Sequence, residues 1–466
     1  MAEASGTAAG RERLSPAARN AIIGAIVGWA VDFYDIYLPA GALTPALAFF
    51  LPASVPAAIR GTVLGVVLIV TLIGRPIGAI IFGHLGDVIG RKRTALIAIA
   101  GFAVMTLLMA LMPGYATWGL AAVVILTVLR LIGGIFMGGE YTAANPLAME
   151  YCPHRLRGIV GGAIQCAYPM AAIFIFFITA LVFTVAPLGG PNSAYVQWGW
   201  RIPFLVGSAL ALAFLIYYWR TVEESRLWQD AAREKKIENP LRVLFSGQNL
   251  RVLAQVFLMM TGFWFITQMT ATYMVPFLVT VMKLPAETVN LAFLFANVGL
   301  GLGFLTYAAL GQRHGRRPWL IVGGLLPMTL GVVLYYLFIT NIRAGGSLIL
   351  TLALAAAGFV VVGSAWGMPT TYITERFPTG IRSSAYGVGY SLAVVIPSLF
   401  NFYLLGLAKF MPYEYTLLVL VFVGGLLLTI GAWIGPETRD VEFTAAAFEV
   451  RERVTDERPA VRPAVE

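Results

Sequence analysis

The chain has 466 residues, of which 59% are apolar and 12% are charged, and its mean hydropathy is +0.81. Soluble globular domains carry roughly 25% charged residues, so this composition indicates a membrane protein and excludes an ordinary soluble enzyme. The formal net charge of +9 would suit a nucleic-acid partner. The positions of the positive residues, in short loops between apolar stretches, indicate membrane topology instead.

Twelve apolar stretches of about 20 residues or more, the length that crosses a bilayer, follow one another along the chain. The first is too long for a cleaved signal and lacks a small-residue cleavage pattern, so we expect it to remain as a helix. The pattern predicts an all-α transmembrane protein. The predicted spans are 20–48, 61–85, 94–113, 117–149, 158–185, 202–220, 251–281, 287–311, 318–340, 347–374, 383–408 and 413–435.

Most arginine and lysine residues fall in the even-numbered connections and the two tails, whereas the odd-numbered connections hold isolated ones such as Arg60 and Lys283. By the positive-inside rule this pattern places both termini in the cytoplasm, which requires an even number of spans. We expect a multi-pass, monomeric protein of the plasma or inner membrane, in contact with the lipid bilayer and without a nucleic-acid partner. Cys152 and Cys166 are expected to be small packing residues.

The longest polar interruption, residues 221–250, lies close to the middle of the chain. It predicts a cytoplasmic linker between two six-helix bundles, at 20–220 and 251–435. Cytoplasmic tails are predicted at 1–19 and 436–466.

Two signatures recur in the two predicted bundles at one separation. The loop GHLGDVIGRKR joins spans two and three and ALGQRHGRRP joins spans eight and nine, which places Gly315 after Gly90 by 315 − 90 = 225 residues. The pattern E-x-x-P-x-x-x-R begins at Glu150 after span four and at Glu375 after span ten, with the same separation. Two motifs with one shift indicate duplication of a six-helix unit and predict two halves related by pseudo-two-fold symmetry.

These segments resemble the sugar and metabolite porters of the major facilitator superfamily. The resemblance rests on G-x-x-x-D-x-x-G-R-K from Gly83 and on RLIGGIFMGGEYTAANPLAMEYCPHRLRG from Arg130; GGEY from Gly138 and GWRIPF from Gly199 are most similar to the metabolite:proton symporter branch. It implies a twelve-helix fold that works by alternating access, with the proton as coupling ion and no bound cofactor. The second loop departs from the pattern, because Gln312 stands where the acidic residue would be.

Two acidic residues lie deep in the first predicted span. Asp32 and Asp35 are three residues apart, hence on one helical face near mid-membrane. The cost of burying a charge in hydrocarbon destabilises an ionised carboxylate, and a second carboxylate nearby adds to that cost. Such a group can take up and release protons, and the D-x-x-D spacing resembles a signature of organic-acid:proton symporters. The alternative is that one of the two is a permanent ion-pair partner.

Two arginines, Arg75 and Arg130, are also predicted to lie deep, and each needs an anionic partner. The resemblance places the Arg130 position opposite a helix-one aspartate, so we predict an Asp35–Arg130 pair that loosens when Asp35 is protonated. Arg130 binding a substrate carboxylate, or a purely structural pair, are the alternatives. Glu140 is either a proton relay or a packing ion pair, with Arg75 as its candidate partner.

A substrate site is expected near mid-membrane between the two halves. No deep charge is evident in the second half, so a charged substrate group would be recognised mainly by the first. Each candidate has a helix-packing role as its alternative. The candidate substrate contacts are Tyr34, Arg75, Arg130, Gln165, Tyr168, Gln268, Tyr273, Trp366, Tyr372, Tyr390 and Asn401.

The loop signatures predict a gate at the cytoplasmic side. Asp87 can approach a helix N-terminus or facing arginines when that side closes, and Glu150 with Arg157, or Glu375 with Arg382, could do the same. The alternative is that the arginines only set topology. The predicted gate residues are Gly83, Asp87, Gly90, Arg91, Glu150, Arg157, Gly315, Arg316, Glu375 and Arg382.

The sequence therefore predicts a secondary active transporter for proton-coupled symport of a small metabolite, an organic acid or a zwitterion. A proton-coupled sugar porter, an exchanger or facilitator without proton coupling, and a non-transporting receptor are the alternatives. No lysine follows a glycine as a phosphate-binding loop requires, and no metal-ligand cluster or nucleophile–base set is evident. We expect neither an ATP-driven pump nor an enzyme, and no metal.

Overall fold

The computed structural model describes residues 14–38, 42–43, 45–51, 55, 57–234 and 239–443. Lys235 and Lys236 of the predicted linker and most of both predicted tails lie outside these residues. Across the described ranges the chain is helical, with short connections and no strand.

Twelve long helices run through the described residues. Eleven of them are long and apolar enough to cross a membrane, counted over the described part of the chain, and α2, with 32 residues, is the twelfth. This confirms the predicted all-α transmembrane fold. The helices are α1 Pro16–Leu38, α2 Ala57–Val88, α3 Arg91–Leu111, α4 Ala121–Tyr151, α5 His154–Val185, α6 Tyr195–Thr221, α7 Gly247–Thr272, α8 Ala286–His314, α9 Arg316–Arg343, α10 Leu348–Arg376, α11 Thr379–Leu407 and α12 Tyr413–Ile434.

Several helix ends differ from the sequence-based boundaries. Helix α1 ends at Leu38 rather than near residue 48, and a separate short helix, Leu47–Phe50, follows it. Helix α10 is interrupted by a tighter turn at Ser364–Gly367. The interruption falls just before Pro369, which lacks a backbone N–H and whose ring conflicts with the carbonyl group one turn earlier.

Glycines let α2 and α4 approach almost to backbone contact. A Cβ atom added to Gly78 would lie 1.8 Å from the carbonyl oxygen of Ile135, and one added to Gly138 would lie 2.2 Å from that of Arg75. Small residues at such spacing are the usual means of close helix packing in membranes. The packing holds the backbone of Arg75 against α4, where Glu140 is located.

The two halves meet along α2 with α11 and along α5 with α8. A Cβ atom on Gly83 of α2 would lie 2.9 Å from the Cα atom of Ser384, and one on Gly162 of α5 would lie 2.4 Å from the Cβ atom of Ala308. One hydrophobic core runs across this interface and includes Trp29 of α1 with Trp264 of α7. The site described next lies in that shared core.

Candidate functional site

The guanidinium group of Arg75 lies between the two halves, enclosed by aromatic rings of the first. Its Cζ atom is 5.4 Å from the ring centre of Trp29, 5.9 Å from Phe33 and 5.0 Å from Tyr141. Contacts of this kind stabilise a buried cation. The Nε and Nη2 atoms of Arg75, which is only 5% exposed, have no hydrogen-bond partner among the described residues. Arg75 therefore has donors available for an anion.

Two carboxylates, Asp32 of α1 and Glu140 of α4, lie close enough to Arg75 to interact with it electrostatically. Both residues are fully buried. Within the described structure, neither oxygen of either carboxylate has a hydrogen-bond partner. Buried polar groups are normally hydrogen-bonded, so four carboxylate oxygens without partners beside a guanidinium with two unpaired nitrogens mark a functional site.

Gly28 makes the position of Glu140 possible. A Cβ atom added to Gly28 would lie 2.0 Å from the Oε1 atom of Glu140 and 2.8 Å from the Cζ atom of Phe214. The side chain of Glu140 thus occupies space that any other residue at position 28 would fill. Its carboxylate is thereby held against α1, the helix that carries Asp32.

Asp35 has a different environment from Asp32. Its Oδ2 atom accepts a hydrogen bond of 2.8 Å from Nη1 of Arg130, and its Oδ1 atom accepts one of 2.6 Å from the hydroxyl of Thr106. The structure thus brings the predicted Asp35–Arg130 pair together inside the first half. Both oxygens of Asp35 are used, whereas both oxygens of Asp32 are free of partners in the described chain.

A cavity of about 10 Å³, the volume that a single water molecule needs, lies between the halves. Its lining combines the guanidinium of Arg75 and the hydroxyl of Ser391 with the apolar surfaces of Leu72, Trp264 and Val394. The second half supplies an aromatic wall behind it. Trp264 packs on Trp366 and on Tyr390, with ring centres 5.1 Å and 5.6 Å apart, and its Nε1 atom donates 2.7 Å to the Tyr390 carbonyl oxygen.

Hydrogen bonds cross from one half to the other beside this cavity. The hydroxyls of Tyr141 and Ser391 are hydrogen-bonded to each other. Asn145 donates 3.1 Å to the hydroxyl of Tyr386, whose ring stacks on that of Tyr390. These contacts connect α4 to α11 at the depth of the site, so any separation of the halves must break them.

Several predicted substrate contacts belong to this region. Arg75 lines the cavity, and Trp366 and Tyr390 form its aromatic wall. The side chain of Gln165 interacts with Tyr390, and Tyr168 packs edge-on against Phe33 with ring centres 5.2 Å apart.

Other predicted substrate contacts do not line this cavity, and their side chains are engaged elsewhere. The hydroxyl of Tyr34 donates 2.9 Å to the carbonyl of Pro203 within the first half. Gln268 accepts a hydrogen bond of 2.8 Å from Thr272 on its own helix. Arg130 is engaged by Asp35.

Three more sit farther away. The hydroxyl of Tyr273 donates 3.0 Å to that of Tyr413, at the start of α12. Tyr372 is hydrogen-bonded to the carbonyl of Pro436, after the end of α12. Asn401 is exposed on the outer surface. Their polar side chains therefore serve other contacts, and the sequence pattern alone could not separate the two uses.

The residues that the sequence did not single out are Trp29, Tyr141, Trp264, Ser391 and Tyr386, all at the meeting surface of the halves. Aromatic residues also face lipid and fill cores in membrane proteins, so composition gives no signal that these ones line a cavity.

We use the term basic face for the end of the bundle that carries the α2–α3 and α8–α9 loops. There Asp87 crosses from the first half to the N-terminus of α11. Its carboxylate accepts hydrogen bonds from the backbone N–H groups of Ser383 and Ser384, at 3.2 Å and 2.8 Å, and from the Ser384 hydroxyl at 2.6 Å. It also pairs with Arg91 at 2.7 Å. A carboxylate at a helix N-terminus is favoured by the helix dipole.

Glu150 forms the centre of a second crossing network. Its Oε1 atom lies 2.7 Å from Nη1 of Arg382 and 3.7 Å from Nη2 of Arg91, and its Oε2 atom accepts a hydrogen bond from the hydroxyl of Ser225. The charged side chains of both ion pairs are at most 2% exposed. The predicted pairing of Glu150 with Arg157 is therefore wrong, because the partner of this carboxylate lies across the interface.

The second half repeats these contacts with one change. Gln312, which stands 225 residues after Asp87 (312 − 87), accepts a hydrogen bond of 2.7 Å from the N–H of Gly158, at the start of α5. Glu375 pairs with Arg316 through contacts of 3.1 Å and 3.2 Å, rather than with Arg382 as predicted. The duplication is thus visible in the contacts, and the neutral amide keeps the hydrogen bond without the charge.

Two acidic residues that the sequence analysis missed cap α3 and α9. Glu224 accepts hydrogen bonds from the backbone N–H groups of Arg91 and Lys92, and Glu437 accepts them from Arg316 and Arg317. The preceding glycines of the two loop signatures, Gly90 and Gly315, have φ angles of +107° and +112°. A Cβ atom there would also lie 2.3 Å and 2.5 Å from the respective glutamate, which explains why glycine is required.

The segment Glu437–Phe443, which follows α12, crosses the basic face, and we call it the C-terminal strap. The carbonyl of Val441 accepts a hydrogen bond of 2.6 Å from Arg157. The ring of Phe443 lies between two arginines, 3.6 Å from Cζ of Arg157 in the first half and 4.0 Å from Cζ of Arg382 in the second. The first residues of the predicted tail therefore contact both halves at the basic face.

A buried polar site between two duplicated helical halves, closed at one end by ion pairs that cross the interface, is the arrangement of a membrane transporter. The sequence profile of the Major Facilitator Superfamily matches residues 21–400. The chain belongs to this superfamily, which confirms the resemblance seen in its motifs and the absence of an enzymatic role.

Relatives of known name agree with this class. The chain is 28% identical over 380 residues to the inner membrane metabolite transport protein YhjE of Escherichia coli K12, covering 80% of this chain and 84% of that protein. It is 29% identical to the shikimate transporter of the same organism, covering 81% and 85%. The structure of the proton:xylose symporter XylE bound to 6-bromo-6-deoxy-D-glucose superposes on this chain with a TM-score of 0.73, over 94% of this chain and 99% of that one. The sequence identity is 20%, so this likeness shows the fold alone.

Proposed function

We propose that this transporter is a symporter that couples the inward movement of a proton to that of a small metabolite carrying a carboxylate, an organic acid or a zwitterion. The observation that carries the proposal is the guanidinium of Arg75. It lines the central cavity with two unpaired nitrogen atoms, and two carboxylates without hydrogen-bond partners lie near it, outside the cavity lining. A guanidinium is suited to bidentate binding of a carboxylate. Buried carboxylates are suited to carrying a proton across the membrane.

The basic face lies in the cytoplasm in this proposal, because short loops rich in arginine and lysine remain on that side. Both termini are then cytoplasmic, in a protein of the cell membrane that works as a monomer. We take the structure as the state closed towards the cytoplasm in this proposal, which is supported by the contacts of Asp87, Glu150 and the C-terminal strap between the two halves at that face.

Transport proceeds by alternating access, with the halves moving about the central site. Opening towards the cytoplasm separates Asp87 from the N-terminus of α11 and Glu150 from Arg382. Such buried ion pairs are costly to leave half-broken, so the gate has two well-defined states rather than a continuum. The Asp35–Arg130 pair lies within the first half, where it holds α1 against α4 and stays a candidate for a second proton site.

Two alternatives concern the substrate and the coupling. A proton-coupled sugar porter is less well supported, because a neutral sugar leaves the two unpaired nitrogens of Arg75 without an anion. An exchanger or facilitator without proton coupling requires Asp32 and Glu140 to remain in one protonation state throughout the cycle.

Reconstituted vesicles separate these possibilities. The probes are shikimate as a monocarboxylate, glycine betaine as a zwitterion and xylose as a neutral sugar. We expect an inward proton gradient to drive accumulation of a carboxylate-bearing probe, and a protonophore to abolish that accumulation. Accumulation that survives the protonophore would reject the symporter, and accumulation of xylose alone would reject the carboxylate.

Variants test the role of Arg75 in the same vesicles. Arg75→Gln should lose carboxylate uptake, whereas Arg343→Gln should retain it, because Arg343 is half-exposed and pairs with Glu414 at the opposite end from the basic face. Equal uptake by the two variants would remove Arg75 from the substrate site.

A further inference from the structure

The charges around the central cavity do not balance unless a proton is present. Arg75 contributes one positive charge, and Asp32 and Glu140 contribute two negative charges when both are ionised. An uncompensated charge in a buried site is strongly unfavourable. The three groups together are neutral when one of the two carboxylates holds a proton.

Among the residues that the structure describes, other groups near this set do not change the count. Asp35 is already neutralised by Arg130. The remaining titratable neighbours are tyrosines, which are uncharged at ordinary pH. The titratable and charged side chains that interact with Asp32, Glu140 or Arg75 are Asp35, Tyr37, Tyr141, Tyr218, Tyr386 and Tyr390.

The cavity exposes the cation of this set but not its anions. Arg75 and Ser391 are the polar residues of the lining, and the other lining side chains, Leu72, Trp264 and Val394, present apolar surface. Asp32 and Glu140 are absent from the lining and are fully buried. A substrate group that enters at this cavity would therefore meet Arg75 and neither carboxylate. A cationic group there would meet the Ser391 hydroxyl and apolar or aromatic surface beside a guanidinium, with no anion to compensate its charge.

We propose that Arg75 exchanges counter-ions during the cycle: a proton taken up by the Asp32–Glu140 pair frees the guanidinium from these carboxylates, and the carboxylate of an anionic substrate replaces them. This proposal rests on the proposed symport function and narrows its substrate to a monocarboxylate without a cationic group. The proton and the substrate use separate positions, because the substrate meets Arg75 in the cavity and the proton binds carboxylates outside the cavity lining.

The charge count then fixes the electrical character of transport. The empty site, with one proton on the acid pair, is neutral. The loaded site holds a second proton and the substrate carboxylate, and it is neutral as well. One proton and one monocarboxylate move together, so the transport is electroneutral and its driving force is the pH difference alone.

Vesicle experiments with shikimate as the monocarboxylate measure this directly. A pH difference of ~1 unit should accumulate shikimate up to about tenfold through one proton per substrate. A potassium diffusion potential of about 100 mV at equal pH should accumulate none, whereas a cycle that moved one charge would give roughly fiftyfold. Accumulation driven by the potential alone overturns the counter-ion exchange and leaves the symporter intact. Accumulation that survives a protonophore overturns the symporter itself.

Binding to the detergent-purified protein gives a second readout that does not require transport. The Kd of shikimate for the wild type should rise by about tenfold per pH unit in the range where one proton is taken up with the ligand. The double variant Asp32→Asn, Glu140→Gln should bind shikimate with a Kd independent of pH, because Arg75 then has no competing carboxylate. Glu414→Gln, a matched change of a partly exposed glutamate in the first turn of α12, should keep the wild-type pH dependence.

A pH-independent Kd in the wild type, or no binding of shikimate, lactate or benzoate at any pH, overturns the proposal. Should the double variant fail to fold, each single variant still tests it. Each leaves one carboxylate to compete with the substrate, and each should therefore retain a pH-dependent Kd. A single variant that already binds independently of pH would contradict the shared role of the two acids.

Discussion

Replacement of Asp87 by asparagine should open the basic face. The carboxylate accepts three hydrogen bonds from the N-terminus of α11 in the other half, at 3.2 Å, 2.8 Å and 2.6 Å, and pairs with Arg91. Asparagine has one acceptor oxygen and no charge, so it keeps at most part of this set. Hydrogen bonds to a charged group contribute ~1.5–3 kcal/mol each, but the variant also avoids the cost of burying the charge.

The net loss should be about 2 kcal/mol, which corresponds to a roughly thirtyfold larger open population. The estimate takes two lost charged hydrogen bonds and subtracts the relief of desolvation. Gln312 supports the sign of the effect, because the symmetric position already uses a neutral amide and makes two hydrogen bonds to α5, with Gly158 and His154, instead of three.

Cys152 provides a native reporter for this opening. It is 3% exposed at the basic face, where it interacts electrostatically with Arg157 of its own half and with Arg316 and Glu375 of the other. Separation of the halves would uncover it. In a background without the other cysteine, Cys166→Ser, the rate of maleimide labelling should rise by roughly thirtyfold in Asp87→Asn, in proportion to the open population.

The matched control is Asp230→Asn, which changes an exposed aspartate of the linker and should leave the labelling rate unchanged. Equal labelling of Cys152 in Asp87→Asn and in the wild type would refute the view that this carboxylate holds the gate closed.

Three further predictions concern single contacts. Phe443→Ala removes the ring between the arginines of the two halves, so the rate of Cys152 labelling should rise about tenfold for a loss of ~1.4 kcal/mol. The control is Phe410→Ala, which removes an 88% exposed ring. An unchanged labelling rate in Phe443→Ala would show that the C-terminal strap does not hold the two halves together. Gly28→Ala forces the Glu140 side chain to move. The overpacking should reduce the free energy of unfolding by ~1–3 kcal/mol and so lower the thermal unfolding temperature. Adding Glu140→Asp to Gly28→Ala should restore much of the lost stability, because the shorter side chain makes room for the new methyl group. Equal unfolding temperatures for the single and the double variant would contradict the contact between position 28 and Glu140. Asp35→Asn should leave Arg130 buried without its anion and lower the stability by ~3–5 kcal/mol. An unchanged thermal stability would show that the Asp35–Arg130 pair does not hold α1 against α4.

The helices and the duplication could be predicted from the sequence because their physical causes are local. A stretch of apolar residues long enough for the bilayer must form a helix, since lipid offers no partner for backbone N–H and C=O groups. The separation of 225 residues between repeated motifs predicted a duplicated six-helix unit, and Asp87 and Gln312 make equivalent contacts near the N-termini of α11 and α5.

The partners of charged residues were harder to predict, because a motif shows which residues are nearby in sequence and not which lie across an interface. Glu150 and Arg157 belong to one motif, yet Glu150 pairs with Arg382 of the other half. Glu224 and Glu437 lie in polar segments where carboxylates are common, and only the fold shows that they cap α3 and α9.

The central site was predicted in part. Deep charges were recognisable because ionisable residues are rare in hydrocarbon, and Asp32, Arg75 and Glu140 do lie together. The aromatic residues around them were not, since tryptophan and tyrosine are frequent throughout the chain. The sequence also could not show which of the two aspartates has hydrogen-bond partners. Asp32 and Asp35 share one face of α1, and only the fold shows that Thr106 of α3 and Arg130 of α4 bind Asp35.

The most direct test of the account is the number of protons that enter with each substrate molecule. Wild-type vesicles containing a pH-sensitive dye should show internal acidification when shikimate is added outside, with one proton per radiolabelled shikimate taken up and no membrane current. Shikimate entry without any acidification would contradict the role assigned to Asp32, Glu140 and Arg75.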